Sequence, residues 1–171
     1  NTAITQISND AMEHIAELAA QIAKIYEKEN PARAEAYIRK ALNAKSKNLT
    51  REDMRLFNKL GVALRKQGKW QEAVVEYQRA LEVDPQDDTI YYNMGMAYAE
   101  AENFSDALKC MEKALSFNPD LPYVAPGVAY NVGMVMFKSA RRAEAKRCFE
   151  AALEQNPNFE PGKQALKNLQ A

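Results

Sequence analysis

Between Met54 and Pro85, apolar residues fall three and four positions apart in two runs: Phe57, Leu60 and Leu64, then Ala73, Tyr77 and Ala80. That spacing puts each set on one stripe of an α-helix. Gly68 parts the runs and supplies a turn conformation that β-carbons disfavour; Pro85 stops the second. The spelling returns 34 residues later, with Gly61 becoming Gly95, Ala73 becoming Ala107, Ala80 becoming Ala114 and Pro85 becoming Pro119. It returns again after 38, as Gly133, Ala145, Ala152 and Pro157. A fixed period of this size marks stacked helical hairpins. Gly61 and Ala73 are expected where two antiparallel helices cross, since larger side chains would wedge them apart. Ala80 is expected to let the next repeat approach.

The rest of the chain fits the same plan. Residues 1–7 lack periodicity and are expected to be irregular. From Ser8 to Glu29, Ile15, Leu18, Ala19, Ile22, Ile25 and Tyr26 recur at helical spacing until Asn30-Pro31 breaks the pattern. A short second helix carries Ala34, Tyr37, Ile38, Ala41 and Leu42 on one face, a degenerate first repeat without the glycine and closing proline. Thr50 opens the next helix, with Asp53 completing a capping box. The third repeat places Tyr91, Met94, Gly95, Tyr98, Phe104, Met111 and Ala114 in the same columns, with Ser105 expected to cap its second helix. An insertion, Asp120 to Pro126, is either a link or an extra turn. In the fourth repeat Arg142 replaces the aromatic of Trp70 and Phe104, so that corner should pack less tightly. The last helix turns Ala165, Leu166 and Leu169 inward and Lys163, Lys167 and Gln170 outward. The expected organisation is an N-terminal helix pair over 1–49, repeats over 50–87, 88–121 and 122–159, and a capping helix over 160–171. Nine helices and no strands follow, an all-α chain.

These residues resemble the tetratricopeptide repeat (TPR) family over most of the chain. The resemblance implies a right-handed α-solenoid of helix-turn-helix repeats with a C-terminal capping helix. It also implies a non-catalytic adaptor or scaffold that binds a peptide or protein partner in a concave groove lined by first helices. The groove positions it assigns are Arg55, Asn58, Val62 and Arg65 (with Lys59 and Lys66) in the second repeat. In the third they are Tyr92, Asn93 and Met96, and in the fourth Tyr130, Asn131, Met134 and Phe137. The groove would be cationic at one end and aromatic and Met-rich at the other. Asn93 and Asn131 could pair a peptide backbone. The same Tyr and Met strip could equally be core, because inner helices also touch neighbouring repeats. Chaperone-binding members hold a carboxylate with a clamp of Lys, Asn and Arg. Here Asn93 agrees with that clamp, but Asn58, Val62, Gly127 and Asn131 stand where its Lys, Asn, Lys and Arg belong. The stretch LTREDMRLFNKLGVALRKQGKW is also similar to TPR segments of bacterial response-regulator proteins, which implies an output module in two-component signalling.

Composition narrows the choices. With 47% apolar and 27% charged residues the chain is expected neither to be disordered nor to span a membrane, and no apolar run approaches the ~20 residues a membrane helix needs. The first residue is Asn and no basic-then-apolar leader follows, so a piece trimmed from a longer protein is expected. Net charge is zero but segregated. Pro31 to Lys69 holds 11 Lys/Arg against 3 Asp/Glu, and Glu72 to Asp120 holds 3 against 11. Opposed segments of this kind could orient a charged partner or make the module self-assemble as a homo-oligomer. Arg33, Arg39, Lys40, Lys45, Lys47, Arg51, Arg55 and Lys59 form a basic stretch, yet overall neutrality disfavours a nucleic-acid partner. Cys110 and Cys148 share a column, too far apart for a disulfide, and two free thiols suggest a reducing, cytoplasmic compartment. The single His14 has no ligand partners at metal spacing. No catalytic constellation, metal site or cofactor is expected.

Overall fold

The computed structural model describes residues 2–45 and 49–170. Among them are nine α-helices and no strand. The helices are α1 (Thr2–Tyr26), α2 (Pro31–Ala44), α3 (Met54–Arg65), α4 (Trp70–Val83) and α5 (Asp88–Glu100). They continue as α6 (Phe104–Phe117), α7 (Pro126–Lys138), α8 (Arg142–Gln155) and α9 (Glu160–Gln170). Single 3-10 turns, Arg51–Asp53 and Leu121–Tyr123, precede α3 and α7. The chain divides into two compact units, one ending at Pro85 and the other starting at Gln86.

In the first unit α1 packs on α2 through Ala16, Ala19 and Ala23, all buried. Small side chains let the two backbones approach closely. The expected irregular start is helical from Thr2, because nothing before Pro31 breaks a helix and Ile4, Ile7 and Ala11 extend the 3.6-residue spacing. The alanine face is the buried one, whereas Ile15, Leu18 and Ile25 are exposed. Asn30 caps α2 by accepting from the Arg33 N–H at 3.0 Å, and Pro31 follows at the first helical position. Ala34, Ile38, Ala41 and Leu42 are then buried. The capping box forms: the Thr50 N–H donates to Asp53 Oδ2 at 2.9 Å. Asp53 is buried, and Lys45 Nζ at 2.7 Å neutralises it.

The repeated glycines sit at the helix crossings. A β-carbon on Gly61 would overlap the Tyr77 ring of α4. On Gly133 it would lie 2.6 Å from the Phe149 ring of α8, and on Gly95 3.1 Å from Met111 Cε of α6. Gly68 adopts φ +74°, as the sequence requires of it. Glu102 (φ 58°) and Ala140 (φ 61°) occupy the same column 34 and 72 residues on and take the same left-handed conformation. In all three turns the next residue donates back into the preceding helix. Lys69 N reaches Leu64 O at 3.0 Å, Asn103 N reaches Tyr98 O at 2.9 Å, and Arg141 N reaches Met136 O at 2.8 Å. The turn geometry repeats where the glycine does not.

The second unit has a core of Met111, Leu121, Val132, Met136, Phe149 and Ala165, so α6, α7, α8 and α9 share one apolar interior. Asn103, not Ser105, caps α6: its side chain accepts from the Asp106 N–H at 3.2 Å. The insertion resolves as a 3-10 turn that buries Leu121 and Pro122 while leaving Tyr123 and Val124 exposed. Arg142 donates to the Leu169 carbonyl at 2.6 Å, reaching the end of α9 where an aromatic would have packed inward. Leu166 and Leu169 pack against the core while Lys163 and Lys167 are exposed; the Gln170 side chain lies outside the described residues.

Candidate partner-binding site

In the second unit, Tyr92 and Met96 of α5 and Tyr130, Met134 and Phe137 of α7 are half-buried, each with part of its surface against the core. The strip is thus both core and surface: one flank of each side chain fills the interior and the other faces outward. Asn131 Nδ2 donates to the Tyr92 hydroxyl at 2.8 Å, which fixes two of the sequence-assigned positions to one another. Asn93 Nδ2 instead donates to the Thr89 carbonyl of its own helix at 3.0 Å. Tyr130 lies against Phe149 and Phe159, with ring centroids at 5.8 and 6.0 Å. A cavity of about 200 Å³ opens beside Tyr130, Met134 and Phe137 and is closed by Pro161, Gln164 and Asn168 of α9. Those α9 residues carried no sequence signal of their own. Seating the expected capping helix on α7 and α8 would have found them.

In the first unit, Asn58, Lys59, Val62 and Lys66 of α3 line a cavity of about 180 Å³ together with Glu27 and Ala34. Its cationic character is reduced from within. Lys59 is paired with Glu27, and Lys66 Nζ donates to the Glu27 carbonyl at 3.0 Å. Arg55 is exposed and Arg65 half-buried. Glu27 was not singled out in the sequence, although it sits at the end of α1 opposite the lysines.

The charge segregation read from the sequence is largely offset inside the first unit. Arg39 bridges Glu35 (2.9 Å), Glu76 (2.8 Å) and Glu72 (3.4 Å), and Arg51 meets Asp84 at 3.0 Å. Lys69 joins the same cluster through Glu35 at 3.0 Å. Lys47 lies outside the described residues. Burial pushes the Glu35 carboxyl up, but hydrogen bonds from Arg39, Gln67 and Lys69 outweigh it and hold the group below its ordinary value. Cys110 and Cys148 are free and buried, and burial raises both thiols to about 11. Among the described residues no group of His, Cys, Asp or Glu could hold a metal ion, and no helix is long and apolar enough to cross a membrane.

Comparison with known proteins follows the same columns. The TPR repeat model matches residues 61–102, and the tetratricopeptide repeat model matches 89–121 and 126–159. Together they cover more than half of the chain. A probable UDP-N-acetylglucosamine–peptide N-acetylglucosaminyltransferase SPINDLY of Oryza sativa subsp. japonica is 42% identical over 60 residues, 35% of this chain and 6% of that protein. The Hsp70-Hsp90 organising protein of Plasmodium falciparum is 31% identical over 83 residues, 47% of this chain and 33% of that one. The chain thus spans no more than a third of either relative. Among solved structures, MamA from Desulfovibrio magneticus RS-1 superposes with a TM-score of 0.74 at 18% identity, covering 92% of this chain and 85% of that one. The first TPR of Spaghetti (RPAP3) bound to the HSP90 peptide SRMEEVD superposes at 0.62 with 23% identity, covering 71% and 96%. At these identities the likeness shows the fold, an α-solenoid of helix-turn-helix repeats.

Proposed function

The chain belongs to the tetratricopeptide repeat family, and from that premise we propose that it is a non-catalytic adaptor holding a peptide or protein partner against its first helices. The proposed surface is the strip of Tyr92, Asn93, Met96, Tyr130, Asn131, Met134 and Phe137, with Arg55, Asn58, Val62 and Arg65 serving the first unit. The observation that carries this reading is the cavity lined by Tyr130, Met134 and Phe137 of α7, on the helix whose Asn131 also ties to Tyr92 of α5. It sets rigid, half-exposed aromatic and thioether side chains around a concavity, the combination that accommodates varied side chains of a bound segment. Asn131 gives one amide N–H to Tyr92, so its side-chain carbonyl and second N–H are what it offers such a segment.

The solved RPAP3 domain carries an HSP90 peptide. In this chain Asn58, Val62, Gly127 and Asn131 at the corresponding carboxylate-clamp positions favour a ligand read through its backbone and apolar side chains over a terminal acid. The expected affinity for a short peptide is about micromolar, or ~8 kcal/mol. Two buried free thiols suit a reducing, cytoplasmic setting.

The test is a peptide array or pull-down with wild type and Tyr92→Ala/Met134→Ala, with helicity checked by circular dichroism. Loss of partner capture in the folded double variant supports the surface; undiminished capture shows that the partner binds elsewhere.

A further inference from the structure

Pro161, Gln164, Ala165 and Asn168 of α9 line the cavity that Tyr130, Met134 and Phe137 of α7 open onto. They recur at three- and four-residue steps and so form one stripe of the helix. Glu160, Lys163 and Lys167, all exposed, form a separate stripe, with Lys163 Nζ 2.8 Å from Glu160 Oε1. A helix that only closes a repeat array against water is expected to carry charge on every free flank. On α9 the flank beside the cavity carries two amides, Gln164 and Asn168, both exposed, and no charge.

We propose that α9 selects what is bound: the cavity takes one uncharged apolar side chain of an extended peptide, and Gln164 and Asn168 bond the backbone beside it. This rests on the reading of the α5 and α7 strip as the peptide surface, and it adds the ligand class and two specificity-determining residues. Size limits the guest. The cavity of about 200 Å³ exceeds the ~150 Å³ apolar cavity that takes a benzene ring and falls below the ~300 Å³ at which pockets for whole small molecules begin. That is room for a Leu or Met side chain. Polarity limits it further. Among the described residues no charged side chain lines the cavity, so an ionised guest would lose its water with nothing in exchange. The Met134 thioether adapts to the shape of an apolar one.

The rim supplies the backbone contacts. Gln164 Nε2 donates to Asn168 Oδ1 at 2.8 Å, which holds the two amides in line. Gln164 Oε1 is left as an acceptor and the Asn168 N–H groups as donors. Residues four apart on a helix are about 6 Å apart along its axis, and alternate residues of an extended chain are about 6.6 Å apart. An acceptor and a donor at that interval match the N–H and C=O groups that an extended segment turns to one side. A free apolar molecule would use the cavity and leave the rim idle.

The test titrates the whole chain with capped heptapeptides of alternating Ser and Ala carrying one guest residue at the centre, followed by the methyl resonance of Met134. Leu and Met guests should bind at least about tenfold more tightly than Gly or Asp guests. Gln164→Ala/Asn168→Ala should weaken every guest by a similar factor, about tenfold, leave their order unchanged and retain the melting temperature. An Asp guest that binds as tightly as Leu would overturn the proposal, as would a double variant equal to wild type or a Met134 methyl that moves with benzene and with no peptide. If in any of these cases capture of array peptides is still lost in Tyr92→Ala/Met134→Ala, the strip stands as the peptide surface and α9 is only a cap. If that capture fails in wild type too, both readings fall.

Discussion

The side-chain amide of Asn131 donates to the Tyr92 hydroxyl at 2.8 Å and so ties α7 to α5 at the proposed peptide surface. Neither partner is fully exposed, so the bond is shielded enough to matter. Tyr92→Phe and Asn131→Ala should each lower stability by about 1 kcal/mol, and the double variant by less than their sum. Urea denaturation of the four proteins gives the coupling; strict additivity would mean the bond contributes nothing.

The three crossing glycines should rank by what their missing β-carbon would meet. Gly61→Ala drives into the Tyr77 ring, which is fully buried and cannot retreat, and should cost about 3 kcal/mol. Gly133→Ala presses on Phe149 at 2.6 Å and should cost about 2. Gly95→Ala meets Met111 Cε at 3.1 Å, Cys110 Cβ at 3.2 Å and the Ala107 carbonyl at 3.3 Å, the mildest of the three sets of contacts, and the helix propensity of alanine offsets part of the strain, leaving about 1 kcal/mol. Thermal melts of the three variants would reveal the order.

Glycine is absent from two turns that adopt its conformation. Ala140→Gly and Glu102→Gly should each stabilise by about 0.5–1 kcal/mol, since they relieve a left-handed backbone at non-glycine residues. The reverse change, Gly68→Ala, should destabilise by a similar amount. Denaturation midpoints that shift the opposite way would show that the turns are held at no cost.

Glu35 predicts a pH dependence. Its carboxyl is held below the ordinary 4.5, so its contribution is present above that pH and is lost as pH falls through the lower, folded-state value. Glu35→Gln should therefore be less stable than wild type at pH 7, and the gap should close in acid as the wild-type carboxyl is protonated. Melting temperatures of both proteins from pH 7 to pH 3 measure it.

The buried thiols should react slowly with a disulfide reagent at neutral pH. Burial moves both to about 11, which leaves the folded state with almost no thiolate. Stability should be insensitive to these groups below pH 9. Between 9 and 11 it should fall, because the unfolded thiols ionise first. Labelling as fast as that of a model thiol at pH 7 would contradict the burial.

What the sequence determined alone is the period and what the period requires: glycine and alanine at Gly61, Gly95, Gly133, Ala73 and Ala107, large apolar residues between them, and breaks at Pro85 and Pro119. These are local and repeated demands, and a helix crossing that admits no side chain leaves its mark in every copy. Tertiary structure decided which of two faces of α1 is buried, because alanines and isoleucines recur at the same helical spacing and only the close approach of α2 selects the alanines. It also decided that Arg39 and Arg51 of the basic stretch pair with Glu72, Glu76 and Asp84, and that Asn131 bonds Tyr92. Partners distant in the chain meet through packing, and periodicity carries no record of who meets whom.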